Sequence, residues 1–343
     1  MERLHLFFRR LKEARLSRMM VYVNDVKKES SLPKLWIMLD MLFCSVVYNV
    51  GFYDYYIFGF AHIHGYQKRS TFFTMKDNWR LNKLVNEESQ AKYFRCKDLF
   101  YHAFSEHLGR KWLEIEKIDL PAFMQFVKEN PIFFSKQVSN FGGLGVKRID
   151  ASDKNPDDRE AMAALFQKLK DGHFGLIEQP LKQHETMNAL NPTSINTVRI
   201  ATLIDDDGEV HVIFTFLRMG ISGSYVDNST SGGLNVLVNE EGMITKPALC
   251  DKTGVLYEEH PDTQVKFRGF KIPYFKEAIA LCKEQAYVVK GVRYVGWDVC
   301  ITPEGPVFVE GNYLPAYDGQ MYHQLDHPGY GLKPLYKKYV KDL

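Results

Sequence analysis

The segment VGWDVCITPEGPVFVEGN, residues 295–312, holds the side chains best suited to chemistry. Two apolar runs flank Pro303-Glu304-Gly305, so the segment reads as a β-hairpin. With 303–305 as a three-residue loop, facing residues have numbers summing to 608. Asp298 then lies opposite Glu310, and Asn312 follows on the same face. Opposed carboxylates repel and destabilise a strand pair, so a positive charge is expected between them. Three oxygen donors that leave room for water and phosphate oxygens suit Mg²⁺. A two-residue loop would break this opposition; the alternative is that Asp298 caps a turn and Glu310 faces solvent.

Phosphate chemistry is also possible at IFFSKQVSNFGGLGVKRI, residues 132–149, where Lys136 precedes Gly142, Gly143 and Gly145. Glycines let successive amides turn towards a phosphate, and a lysine adds a compact charge. Neither the GxxxxGK[ST] nor the GxGxxG spacing occurs, so alone the loop reads first as an ordinary glycine hairpin. Further on, Leu176-Ile177 runs into Glu178-Gln179-Pro180-Leu181, a strand leaving its sheet at a proline. Such an exit exposes backbone donors and acceptors, as an adenine-reading linker requires. Glu185 can accept ribose hydroxyls or stand as a solvated carboxylate at a helix start. Thr197 and Arg199 share a strand face, with Arg218 on the next strand. Arginines inside strands call for an anion, either a ligand or a structural carboxylate. Asp227 and Asn228 precede Gly232-Gly233, which fits an Asx turn or a substrate contact. His173, His184 and His260 have no metal-ligand spacing.

These residues need sheets to position them. The pattern predicts strands at 132–139, 145–149, 174–180, 195–204, 209–219, 234–238 and 243–246, with the hairpin at 293–301 and 306–311. Helices are expected at 157–170 and 274–290. From Asn78 the spacing looks helical up to Asp119-Leu120-Pro121. This is an α+β pattern with largely antiparallel strands, not a repeating βαβ rhythm. The expected divisions are a helical region 1–75, a helical lead-in 76–130, a small lobe 131–181 and a large lobe 182–343.

Across 343 residues, 44 Lys+Arg stand against 42 Asp+Glu, which gives no global reason for a nucleic-acid partner. The five cysteines are scattered without a CxxC, which points to a reducing, cytoplasmic setting. No cleavable signal is visible at the start. Instead, residues 1–18 hold six basic and two acidic side chains, and Leu4, Phe8, Leu11 and Ala14 recur at helical spacing. This reads as a surface helix packed on its own domain, or as one resting on an anionic membrane. Asp40 and Asp54 bracket 13 uncharged residues, short of the ~20 needed for a span. A buried hairpin or interfacial element is expected there.

Taken in order, CKDLFYHAF with Lys97, SKQVSNFGGLGV, LIEQPLKQH, INTVRIATL, LRMG, VDNSTSGGLNV, VGWDV and FVEGN resemble the sugar-transfer-associated ATP-grasp proteins. The resemblance covers roughly 96–312. It implies two α+β lobes gripping ATP, with Lys97 and Lys136 on the phosphates and Gly142, Gly143 and Gly145 closing over them. Glu178, Gln179 and Leu181 would form the adenine hinge, with Glu185 near the ribose. Asp298, Glu310 and Asn312 would hold Mg²⁺. Arg199 and Arg218 would face the transferred phosphoryl group and a substrate carboxylate, with Asp227 and Asn228 contacting substrate. The implied reaction is ATP-dependent carboxylate–amine ligation through an acyl phosphate, on a sugar acid or an amino-acid-bearing glycan precursor. A hydroxyl kinase and a non-catalytic nucleotide-binding scaffold are the alternatives. The basic start and the apolar 35–60 region together imply peripheral contact with the inner membrane face.

Overall fold

Among the described residues, six of the nine strand pairings join sequence neighbours, as hairpins and meanders do, and three join strands distant in the chain. The computed structural model describes residues 16–138, 145–225, 227, 232–250, 253, 255–317, 319–324 and 327–343. Among these, eleven strands form two sheets. The smaller contains β1 (Trp112–Glu114), β2 (Ile132–Gln137), β3 (Val146–Asp150) and β4 (Phe174–Glu178), in the order β1-β4-β2-β3. The larger contains β5 (Thr197–Ile204), β6 (Val210–Met219), β7 (Leu234–Leu237), β8 (Ala248–Cys250), β9 (Leu256–Tyr257), β10 (Tyr294–Thr302) and β11 (Gly305–Asn312). Their order is β11-β10-β5-β6-β7-β8-β9, and neighbours pair antiparallel in both sheets. The chain is α+β, as its pattern implies.

Two expectations need correction. Residues 243–246 form no strand; Ile244 and Met243 make only isolated bridges, to Val238 and Lys271. Asp119-Leu120-Pro121 starts a helix (Leu120–Glu129) rather than ending one. The Asp119 carboxylate accepts from the Ala122 amide at 3.0 Å, and Pro121 sits in the first turn, where its missing N–H costs nothing. The short strands β1, β8 and β9 are too brief to show a period in sequence.

The chain divides into two units. The first comprises residues 1–85, 205–207 and 316–343. Its core joins Met19, Val23, Ile37, Met41, Tyr55, Phe58 and Phe60, and Phe73 stacks on Tyr336 at 3.9 Å. Asp40, in the Lys34–Val47 helix, turns inward: Arg69 donates to both its oxygens at 2.6 and 2.7 Å, and the Tyr55 hydroxyl donates at 2.7 Å. Burial opposes the charge on Asp40, but Arg69 and Tyr55 outweigh it and hold the carboxyl below its ordinary range.

The second unit, residues 86–204 and 208–315, contains both sheets. In the larger sheet Val198, Ile200, Leu217, Trp297 and Val299 share a core with the Phe275–Gln285 helix and with Phe94 and Phe104. Trp297 stacks on Phe308 at 4.8 Å and donates to Thr202 at 2.8 Å. In the smaller sheet Phe133 and Ile177 pack with residues of the Leu120–Glu129 and Arg159–Asp171 helices. Strand alternation therefore leaves the other faces to Asp298 and Arg199 in one sheet and to Phe134, Lys136 and Glu178 in the other.

Candidate functional site

The β10–β11 hairpin turns through two residues, Pro303 and Glu304, since Thr302 pairs with Gly305. The three-residue loop expected from sequence is therefore incorrect. From Thr302 to Val299 the partner numbers sum to 607, with Val299 opposite Phe308. The register then shifts by one residue, Val309, and Asp298 lies opposite Glu310. A bulge supplies the residue that the shorter turn lacks, so the opposed carboxylates survive by a different route. Asn312, two residues beyond Glu310, pairs with Gly296 on the same face. Gly311 lies between them because a Cβ there would come within 2.7 Å of Phe100 and 2.9 Å of Phe94.

The positive charge expected beside these carboxylates comes first from arginine. β5 runs alongside β10 with Arg199 opposite Asp298. Arg199 donates to the two Asp298 oxygens through Nε at 2.5 Å and a terminal nitrogen at 2.8 Å. Arg218, on β6, approaches the same oxygens at 3.3 and 3.4 Å. Both arginines thus meet Asp298 rather than an open face. Burial would raise the Asp298 pKa, but Arg199 and then Arg218 overcome it and keep the carboxyl ionised. Glu310 moves the other way, pushed up by burial and by Asp298 beside it. The Nδ2 of Asn312 is out of solvent without a hydrogen-bond partner. An amide head can present either oxygen or nitrogen, so this unmet group, next to two opposed carboxylates, fits a hard divalent cation. Among the described residues, no cluster of three His, Cys, Asp or Glu offers another such site.

A second charged group forms on the smaller sheet. Lys136 Nζ lies 2.7 Å from one Glu178 oxygen and donates to the Tyr101 hydroxyl at 3.0 Å. Arg110 Nε donates to the other Glu178 oxygen at 2.8 Å, and Tyr101 donates to that oxygen as well. Arg110 also reaches the Leu108 and Phe308 carbonyls at 2.8 Å, which ties β4 to β11. Burial disfavours the Glu178 charge, yet Arg110 and Lys136 overcome it and hold the pKa at about 2. Lys136 is held charged by Glu178 against the same burial. Lys97 begins the Lys97–Ala103 helix one turn before Tyr101. Its pKa is lowered by burial, with Lys136 adding to this and Glu310 opposing it.

The two groups meet at a small recess of about 20 Å³ bordered by Lys97, Tyr101, Lys136, Glu310 and Asn312. A much larger cavity, about 900 Å³, is lined by Ile132, Phe134, Arg148, Leu181, Glu185 and Pro303, among others. β2 connects them: Phe134 lines the cavity, and Lys136, two residues on along the same face and ~7 Å away, lines the recess.

The remaining sequence candidates fall as follows. The Glu178 side chain points into the lysine–arginine group, and the Gln179 amide donates to the Lys111 carbonyl at 2.9 Å. Leu181 and Glu185 line the large cavity, and Glu185 opens the Glu185–Leu190 helix. Gly145 has φ +76°, and its carbonyl accepts from Gln137 at 3.0 Å to close the β2–β3 connection. Gly142, Gly143 and Asn228 lie outside the described residues, as does the basic segment with Leu4, Phe8, Leu11 and Ala14. Asp227 accepts from both the amide and the hydroxyl of Thr197, bracing β5 rather than closing a local turn. Burial raises its pKa, with Arg218 opposing. Tyr101 and Arg110 escaped sequence reasoning. Tyr101, four residues after Lys97 on one helix, was open to discovery by spacing; Arg110, 68 residues from Glu178, was not.

Two antiparallel sheets, one presenting a lysine and the other paired carboxylates, define an ATP-grasp fold. The chain belongs to the sugar-transfer-associated ATP-grasp family, whose model matches residues 138–327, more than half of its length. No curated protein matches it. Among solved structures, it is similar to the ADP complex of PurK, N5-carboxyaminoimidazole ribonucleotide synthetase, at 11% identity over 73% of this chain and 52% of that one, with a TM-score of 0.45. The D-alanine–D-alanine ligase of Coxiella burnetii is similar at 10% identity, over 76% and 64%, with a TM-score of 0.46. The ATP-grasp ligase PsnB with its minimal precursor gives 16%, 80%, 71% and 0.40 in the same order. The chain spans about half the length of the PurK chain.

Proposed function

We propose that the protein is an ATP-dependent carboxylate–amine ligase acting on a sugar acid or an amino-acid-bearing glycan precursor. The observation that carries this reading is the meeting of Lys97 and Lys136 with Glu310 and Asn312 at one recess, with β2 lining both that recess and a separate cavity of about 900 Å³. Family membership supports ATP as the ligand. The base and ribose would occupy the cavity beside Leu181 and Glu185, and the phosphates would run past Lys136 and Lys97. Asp298, Glu310 and Asn312 would hold Mg²⁺, which when bound neutralises phosphate oxygens as a Lewis acid.

The rest is the work of the chain's own side chains. Arg199 fixes the Asp298 carboxylate with two of its five N–H donors. Lys136, oriented by Glu178 and Tyr101, presents a fixed charge rather than a mobile one, so no reorganisation is needed as phosphate charge shifts. A substrate carboxylate oxygen would attack the γ-phosphorus, breaking its bond to ADP. The amine nitrogen would then attack the acyl carbon. Phosphate would leave with one original carboxylate oxygen, and the amine proton would pass to solvent.

Uronic acids and amino acids, screened in pairs for ADP release, would reveal the substrates. With ¹⁸O in the acid's carboxylate, label is expected in the released phosphate. ADP formation without free phosphate would instead assign hydroxyl phosphorylation, and ATP binding without turnover would leave only a scaffold.

A further inference from the structure

The Lys34–Val47 helix is apolar on two opposite faces. Ile37, Met41 and Cys44 are buried in the first unit's core. Leu35, Trp36, Leu39 and Phe43 are 60%, 64%, 46% and 52% exposed. At 100° per residue these four span an arc of about 100° centred opposite the buried face. The arc contains no charge, because the helix's one acid, Asp40, is drawn inward by Arg69 and Tyr55. Aromatic contacts extend it: Phe43 meets Tyr48 at 6.1 Å, and Tyr48 meets Tyr66, 68% exposed, at 5.8 Å. Exposed Lys34 flanks one end of the helix, and exposed Lys68 follows Tyr66.

Charge selects the occupant of this surface. Over residues 19–76, six Lys or Arg stand against four Asp or Glu; Asp40 is paired with Arg69, while Lys34 and Lys68 stay exposed. A second copy docked on this face would bring like charges together, while anionic headgroups would neutralise them. Trp and Tyr at the edge of an apolar patch suit the bilayer interface, where one end of the ring is wet. A helix of 14 residues, ~21 Å long, is too short to cross a bilayer, and no single helix among the described residues is long and apolar enough to do so. We propose that the Leu35–Trp36–Leu39–Phe43 face lies in the plane of an anionic lipid surface and anchors the protein there.

The test uses the full chain with Leu39→Glu/Phe43→Glu as the variant. Both positions are already solvated, so the fold is expected to survive, as circular dichroism would verify. Flotation with phosphatidylcholine–phosphatidylglycerol vesicles should capture the parent, and pure phosphatidylcholine should capture about tenfold less. The variant should bind the anionic vesicles about tenfold less well than the parent. In a Trp79→Phe background, Trp36 emission should shift to the blue on binding. Equal binding of parent and variant, or no capture by anionic vesicles, overturns the proposal. So does a parent dimer that the variant splits, which would assign the face to a second copy. Cross-linking from position 43 to residues 1–15 without vesicle binding would assign it to the chain's own start and overturn the proposal equally.

Discussion

Glu178→Gln keeps the shape of a buried side chain but removes the charge that balances Arg110 and Lys136, whose nitrogens lie 2.8 and 2.7 Å from its oxygens. The carboxyl is held at about 2 against an ordinary 4.5, and its side chain is 8% exposed. At about 1.4 kcal/mol per pKa unit, this depression corresponds to roughly 3 kcal/mol of stability. Leaving two buried cations without a carboxylate falls in the same range. Because the folded pKa is lowered, the contribution is complete above the unfolded value and disappears as pH falls through the folded one. The wild-type advantage should therefore be full at pH 7 and shrink between about pH 4.5 and about pH 2. Urea unfolding followed by tryptophan fluorescence reads this directly, since Trp112 packs edge-on to Tyr101 at 5.2 Å. Adding Lys136→Met should recover part of the loss, as expected for coupled charges. A loss below about 1 kcal/mol at pH 7, or one undiminished at pH 2, would refute the account.

Other perturbations separate chemistry from architecture. Glu310→Gln relieves repulsion with Asp298 and should leave stability near wild type while abolishing ADP release; unchanged turnover would remove Glu310 from the site. Asp298→Asn strips a carboxylate from Arg199 and Arg218, so urea unfolding should show a cost of about 3 kcal/mol or more alongside lost activity. Gly311→Ala drives a methyl group to within 2.7 Å of Phe100 and should cost about 1–3 kcal/mol by the same measurement. Arg69→Met leaves Asp40 with the Tyr55 hydrogen bond and should destabilise the first unit by about 2 kcal/mol, visible as faster proteolysis within residues 34–69.

Local pattern made much of this fold legible. Largely apolar runs of eight to ten residues mark β5, β6 and β10, and the Asp158 cap with the following helix is written in neighbouring residues. Signals of this kind depend on contacts within a few positions. The opposition of Asp298 and Glu310 was readable because a hairpin is local, yet its turn was misread: a two-residue loop and a bulge give the same pairing as a three-residue loop, and the order of residue types does not distinguish them. Likewise, Asp119-Leu120-Pro121 contains both a helix-starting cap and a proline that reads as a stop.

By itself, the sequence determined the α+β class, the antiparallel strands, the lysine before a glycine-rich loop and the carboxylate pair near the end. Only tertiary structure decided which charges meet. It set Arg199 and Arg218 on Asp298, placed the Glu178 side chain on Lys136, and brought Arg110 across 68 residues to join Glu178. It also turned Asp40 inward and left the apolar arc of its helix bare. The reason is physical: a buried ion is stable only with a partner at a few ångströms, and partners from distant strands are selected by sheet order and register, which no local spacing encodes.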